Sequence, residues 1–363
     1  MIKIIHVLSD TNIGGAGIWI LNYLKAFDRG KYSVSVALPP DSALKTKILK
    51  LNIPVFEINN TQDKSFSRQA IGEFKRLFES EKPDIVHTHA SLSARIAAKR
   101  LKIKTVNTRH CLEDKKQFLK KILFALVNNS LSDAIIGVSK ATCKNLLDEG
   151  IKKDKVKLLY NGVIPPERLD IEKRQQIKTK LLNIPPDSTV IGMIARLESV
   201  KNHKLFLETA QMLVKRHKNV TFVIVGGGSL EFELRDYAKT LKIADNVIFT
   251  GRQSDICDFI NVIDIMALTS KKEALSLSLI EGMYLAIPSV ATASGGPDEV
   301  IDDGKTGFLV KNDDTKALSD AFSKLIEDKK LRHEMGENAK KRAQTLFGIE
   351  NMLSGLDKIY EEL

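Results

Sequence analysis

Lys272-Glu273-Ala274-Leu275-Ser276-Leu277-Ser278-Leu279-Ile280-Glu281-Gly282-Met283, with Pro288-Ser289-Val290-Ala291-Thr292 and Ser294-Gly295-Gly296-Pro297-Asp298-Glu299 behind it, reads as a loop turning into a helix. A short strand and a glycine loop follow. Leu277, Ile280 and Tyr284 recur at helical spacing and supply a core face. That explains the apolar residues but not Glu273 or the Gly-Gly-Pro loop.

Outward from this segment, short β-branched runs alternate with helical-period stretches along the whole chain. The first half offers Ile2–Leu8, Ser33–Leu38, Val55–Ile58, Ile85–His89, Thr105–Arg109, Ala134–Ser139 and Val156–Leu159. The second offers Val190–Ala195, Thr221–Val225, Val247–Thr250, Ile265–Leu268, Ser289–Thr292 and Phe308–Val310. Between them lie amphipathic stretches such as Lys201–Arg216 and Leu230–Leu241. Such alternation predicts parallel sheets covered by helices on both faces, an α/β class. Ile164-Pro165-Pro166-Glu167 is the expected linker, and Leu346-Phe347-Gly348-Ile349 a second break. The expected architecture is two Rossmann-like domains, 1–165 and 166–346, facing across a cleft, with a terminal helix over 347–363. Ligands in such sheets sit at the carboxyl ends of the strands.

The net charge of +11 is unevenly spread. Residues 1–165 carry 28 Lys+Arg against 15 Asp+Glu, and residues 166–363 carry 28 against 30. The first half is therefore expected to meet an anionic surface or ligand. Aromatics make up only 6% and no nucleic-acid module is recognisable, so nucleic acid is not the expected partner. Three cysteines without a C-x-x-C pair argue for a reducing compartment. With no long apolar run and no signal-peptide pattern, a cytoplasmic location is expected.

Several motifs fail on inspection. Gly15-Ala16-Gly17 would need its third fingerprint glycine where Ile20 stands, and the P-loop-like Gly304-Lys305-Thr306 has Glu299 where a glycine is required. His87-x-His89 ends a strand with no third metal ligand in view. No two aspartates are separated by a single residue, so a D-x-D metal site has no candidate.

A diphosphate-binding constellation survives. Gly14-Gly15 opens a helix after the first strand, permitting close backbone approach to an anion. Arg196 follows a strand end, and Lys201 stands five residues on. Two cations there can neutralise a pyrophosphate without a metal ion. Glu273 can reach a sugar hydroxyl, Glu281 can accept a ribose diol, and the N–H groups of Leu277 and Ser278 can face phosphate.

The segment 272–299 resembles the signature of glycosyltransferase family 4, E-x7-E followed by a G-x-P-V-V-A-T-like run and G-G-x-x-E. The resemblance extends over nearly the whole chain. Gly14-Gly15, Asp84-Ile85-Val86-His87-Thr88-His89, Asn107-Thr108-Arg109-His110 and Val138-Ser139 carry it in the first half. Asn161-Gly162-Val163, Ala195-Arg196-Leu197, Lys201-Asn202, Gly226-Gly227-Gly228 and Gly251-Arg252 continue it. It implies the GT-B fold, a final helix crossing back to the first domain, and retaining transfer from a nucleotide-sugar donor, a UDP-sugar being favoured.

By the same resemblance Arg196 and Lys201 would bind the donor diphosphate and Glu281 its ribose. Glu273 would hold the transferred sugar, with Ser276, Leu277 and Ser278 assisting and Arg252 nearby. Gly14 and Gly15 would touch phosphate or sugar, and His110 would sit at the reacting centre. Ser276, Ala286 and Ala274 depart from the pattern and bear on the identity of the sugar. No metal or organic cofactor is implied. Lys201 and Glu281, read as open ligand-facing groups, are expected to tolerate alanine without loss of stability. A nucleotide-sugar epimerase, a phosphorylase or a non-catalytic sugar-nucleotide binder could use the same fold.

The acceptor expected is a lipid-linked or polymer-linked glycan, reached at an anionic membrane surface through 115–127. There Leu119, Ile122, Leu123, Leu126 and Val127 share a face, and Lys115, Lys116, Lys120 and Lys121 crowd the first turns. The same face would equally serve to pack on the sheet. Oligomeric state is not legible.

Overall fold

The computed structural model describes residues 1–114, 116–253 and 255–363. Two compact units emerge, one formed by Met1–Ile164 with Gly348–Leu363 and the other by Pro165–Phe347.

The first unit is built on a seven-stranded parallel sheet. Its strands are β1 (Ile2–Leu8), β2 (Tyr32–Leu38), β3 (Val55–Glu57), β4 (Ile85–His89), β5 (Lys104–Arg109), β6 (Ala134–Gly137) and β7 (Val156–Leu158). They lie in the order β3-β2-β1-β4-β5-β6-β7. The order reverses between β1 and β4, the switch point at which α/β sheets receive ligands. The second unit holds β8 (Thr189–Ile194), β9 (Val220–Val225), β10 (Val247–Gly251), β11 (Ile265–Leu268), β12 (Ser289–Thr292) and β13 (Gly307–Val310). Their order is β10-β9-β8-β11-β12-β13, switching between β8 and β11. Strands such as Val-Thr-Phe-Val-Ile-Val over 220–225 are buried throughout, as strands covered on both faces must be.

Five helices bear on function: α1 (Gly15–Ala26), α2 (Phe118–Leu131), α3 (His203–Arg216), α4 (Leu277–Tyr284) and α5 (Ile349–Glu361). Helix α5 closes the first unit. Its Met352, Leu356, Ile359 and Tyr360 join the core of Trp19, Tyr23 and Val106. Lys31 pairs with both Asp357 and Glu361, and the Tyr32 hydroxyl donates to Asp357 at 2.8 Å. Gly162 lets this helix approach, since a Cβ there would lie 2.8 Å from Ile349 Cα.

Candidate functional site

In the second unit the polar groups leave the carboxyl ends of adjacent strands. The glycines after β9 press on the segment after β8. A Cβ on Gly226 would lie 2.0 Å from Ala195 O, and one on Gly228 2.4 Å from Leu197 O. Leu197 N–H donates to Gly227 O at 3.1 Å, so the backbone around Arg196 is fixed from both sides. The Arg196 side chain remains 62% exposed and pairs with Glu198 at 2.8 Å. Arg252 is exposed and leaves the end of β10 beside Gly227.

Lys201 behaves differently. Its Nζ lies 2.5 Å from Glu273 Oε2, with the two side chains only 18% and 12% exposed. Ser270 Oγ donates to the same oxygen at 3.2 Å. The backbone of Glu273 is clamped as well: its N–H donates to Ser294 O at 3.0 Å, and its carbonyl accepts from Gly296 N–H at 2.8 Å. A Cβ on Gly296 would fall 2.2 Å from Ala274 O, which gives the glycine loop its reason. The expectation that Lys201 is an open group without structural weight is therefore corrected. Removing it would strand a largely buried carboxylate.

Ser276 caps α4, its Oγ accepting from Leu279 N–H at 3.4 Å and lying 3.2 Å from Ser278 Oγ. The first N–H groups of a helix have no intrahelical acceptor, so Leu277 and Ser278 carry the donors suited to an anion. Glu281 sits in the same helix. Burial, with a smaller contribution from Asp255, pushes its carboxyl up to about 7. His203, at the start of α3, carries no signature that marks it in the sequence. It is buried, neither ring nitrogen has a partner among the described residues, and burial beside Lys201 lowers it to about 4.

In the first unit Gly14 precedes α1 without a side-chain cap, and a Cβ on Gly14 or Gly15 would meet nothing within 4 Å. The protein does not need glycine there for its own packing. What the glycines preserve is open space over a helix N-terminus.

His110 follows β5 and belongs to a group that sequence reasoning saw only in part. Strand register sets His6 beside His87, and the two-residue alternation brings His89 to the same face. The sheet order β1-β4-β5 places Thr108 and His110 with them. His6 Nδ1 lies 3.2 Å from His89 Nε2, and His89 Nδ1 lies 2.8 Å from His110 Nε2. His87 contacts the Tyr360 hydroxyl at 2.6 Å and Thr108 Oγ1 at 2.7 Å. Burial drives His6 and His110 to about 3, and His87 and His89 well down, so all four rings are neutral.

His6 is the third ring that the His87-x-His89 pair lacked in sequence, and the three offer nitrogens within 4.8 Å of one another. Yet both nitrogens of His87 are already engaged, so the group is better described as a hydrogen-bonded chain than as a ligand set.

Helix α2 starts at Phe118, and Lys115 lies outside the described residues. Phe118, Leu119, Leu123 and Leu126 are 74%, 78%, 63% and 65% exposed, and Asn128 is the helix's one buried residue among those described. The face does not pack on the sheet within this chain. Lys120 and Lys121 are exposed beside it. Lys116 is not available to a surface, since it pairs with Glu113 and Glu149 and lies over the Phe124 ring. Among the described residues, no helix is long and apolar enough to cross a membrane.

Two family models divide the chain. "Glycosyltransferase Family 4" matches residues 13–165 and "Glycosyl transferases group 1" matches residues 174–342. The chain is 27% identical over 294 residues to N-acetyl-alpha-D-glucosaminyl L-malate synthase of Bacillus anthracis, covering 78% of this chain and 76% of that protein. It is 24% identical to the Escherichia coli UDP-Gal:alpha-D-GlcNAc-diphosphoundecaprenol alpha-1,3-galactosyltransferase, covering 79% of this chain and 78% of the relative. Among solved structures, Anabaena HepE in complex with UDP and glucose superposes with a TM-score of 0.88 at 20% identity, covering all of both chains.

Proposed function

The chain belongs to the family 4 glycosyltransferases and is a transferase of the GT-B fold, and on that premise we propose that it moves a sugar from a UDP-sugar to a lipid-linked acceptor in cell-envelope glycan synthesis, with retention at the anomeric carbon. The observation that carries the donor half is the largely buried Lys201–Glu273 pair beside the Ser276-capped start of α4. It joins a cation for phosphate to a carboxylate for sugar hydroxyls. UDP is favoured by the names of the E. coli relative and the HepE complex. Incubation with UDP-, GDP- and ADP-sugars tests the donor, and the anomeric coupling constant of the product tests retention.

The chemistry follows from the charges. As the bond from the anomeric carbon to the diphosphate oxygen breaks, negative charge grows on that oxygen. Arg196, Lys201 and the N–H groups of Leu277 and Ser278 stabilise it as it develops. The acceptor hydroxyl attacks the same carbon on the face the diphosphate leaves, and its proton passes to the departing phosphate oxygen. Glu273 holds the sugar hydroxyls, Glu281 the ribose diol, and His110 donates to a substrate oxygen. Because protein cations and dipoles carry this load, transfer is expected to persist in excess chelator. Complete loss, restored by Mg²⁺ or Mn²⁺, would sink metal independence.

Helix α2 supports the acceptor half. Five large apolar side chains exposed on one helix, with Lys120 and Lys121 beside them, suit an anionic bilayer surface, each lysine contributing ~1 kcal/mol. Sedimentation with phosphatidylglycerol vesicles at low salt is expected, and Leu119→Ser with Leu123→Ser should abolish it. Equal behaviour of variant and parent would refute the assignment. The malate acceptor in the name of the B. anthracis relative favours a second reading, a small soluble acceptor. Indifference to vesicles would bring it forward.

A further inference from the structure

We propose that His89, backed by His6, is a positioning residue that locks His110 in the Nδ1–H tautomer, so that His110 presents a fixed hydrogen-bond donor to the substrate. The inference rests on the reading of His110 as substrate-facing and adds what determines its chemistry.

A neutral imidazole has one N–H and one lone pair. In a chain of neutral rings joined nitrogen to nitrogen, every bond must therefore run the same way. His6 Nδ1 faces His89 Nε2, and His89 Nδ1 faces His110 Nε2. Only two states exist. Either His6 donates to His89 and His89 to His110, or both bonds are reversed. In the first state His110 Nδ1 carries a proton; in the second it carries a lone pair. The remaining nitrogens, His6 Nε2 at the inner end and His110 Nδ1 at the outer end, are buried and have no partner among the described residues.

The inner end selects between the states. His6 packs against Trp19 and Tyr23, with ring centroids 5.9 and 4.8 Å away. Among the described residues the Trp19 indole N–H and the Tyr23 hydroxyl are both buried without a partner; the indole nitrogen can only donate, whereas the hydroxyl can donate and accept. A proton on His6 Nε2 would put three donors in that corner with only the Tyr23 oxygen to accept, whereas a lone pair there balances two donors against two acceptors. Orphaned N–H groups are the rarer defect in buried structure. His6 thus keeps its proton on Nδ1 and donates outward, His89 passes the polarity on, and His110 Nε2 accepts. The outer Nδ1–H is left for an oxygen that the protein does not supply.

This arrangement makes His110 an electrophilic donor rather than a proton shuttle. A ring free to choose would favour the Nε2–H tautomer common to unconstrained histidines. His89 removes that choice, as an orienting group behind a catalytic histidine does elsewhere.

The test uses the full-length enzyme labelled with ¹³C and ¹⁵N histidine, with His110→Gln supplying the assignment. The His110 ¹³Cδ2 shift and its long-range ¹H–¹⁵N correlations should report the Nδ1–H tautomer in the parent protein. Finding Nε2–H overturns the inference without reference to activity. His89→Asn keeps an N–H donor at the position of Nδ1 and should retain both the tautomer and most of kcat. His89→Phe fills the same space without a donor and should shift His110 to Nε2–H, with kcat falling ~10- to 1,000-fold and donor KM nearly unchanged. A packing role for His89 predicts the opposite order, with phenylalanine tolerated better than asparagine, and that order also overturns the inference. If instead His110→Ala keeps full activity while the tautomer is as stated, the substrate-facing reading of His110 fails and the chain polarity stands.

Discussion

Lys201→Ala is expected to lower kcat by ~10²–10³-fold, the usual cost of removing one preorganised charge-stabilising group, and also to weaken the fold. The second effect comes from what is left behind. Glu273 is 12% exposed, its backbone is held between Ser294 and Gly296, and it cannot swing out to water. Without Lys201 it keeps, among the described residues, only the Ser270 hydroxyl as a side-chain partner. Breaking such a pair from one side costs about 2–4 kcal/mol, somewhat below the fully buried case because both side chains retain some solvent contact. Thermal unfolding should fall by several degrees. Adding Glu273→Gln should recover most of that loss, since the amide is neutral, while kcat is not restored. Additive unfolding effects in the double variant would show that the pair is not coupled.

Glu281→Gln should separate stability from function in the other direction. The folded carboxyl titrates near 7, above its ordinary value of 4.5. The folded state therefore holds its proton to higher pH than the unfolded state does. Below about pH 4.5 both states are protonated and the group costs nothing. Between there and pH 7 the unfolded chain gains by ionising first, and stability falls. Glutamine removes that fall, so at pH 8 the variant should unfold at a higher temperature, by an increment on the order of 1–3 kcal/mol. At pH 5 the two should nearly coincide. Donor binding moves oppositely. A carboxylate accepts from both hydroxyls of a ribose, whereas an amide offers one acceptor, so affinity for UDP-sugar should drop by ~10²-fold. Calorimetric titration at pH 8 checks this, and unchanged affinity would remove Glu281 from the donor site.

The parallel sheets were legible because each strand is a short, bounded β-branched run, and the observed strands fall within a residue or two of those runs. The residues proposed for the donor stood out in the sequence for a related reason: Glu273, Ser276 and Glu281 lie within one turn and one helix, so chain proximity stands in for spatial proximity. The histidine chain has no such locality. His6 and His89 lie on two strands and His110 directly follows a third, and only the sheet order β1-β4-β5 brings them together. The spacing of His87 with His89 and of Thr108 with His110 carried half the signal, since residues two apart on a strand share a face. Helix α2 was undecidable in principle, because a helix facing a core and one facing a bilayer share the same periodicity. Lys116 misled because one of its two ion-pair partners, Glu149, lies thirty-three residues away.

The two ends of the chain share one core, and this has a consequence for how the molecule is made. Residues 349–361 supply Met352, Leu356, Ile359 and Tyr360 to a hydrophobic cluster otherwise built from the first 164 residues. On the ribosome that cluster stays open on one side while residues 165–347 are synthesised. At ~5–20 residues per second the wait is roughly ten to forty seconds. The later-made unit is contiguous and can finish folding first, whereas the earlier-made one must hold Trp19, Tyr23 and its buried imidazoles partly uncovered until α5 arrives. A nascent chain stalled before residue 349 should therefore engage chaperones through its amino-terminal half.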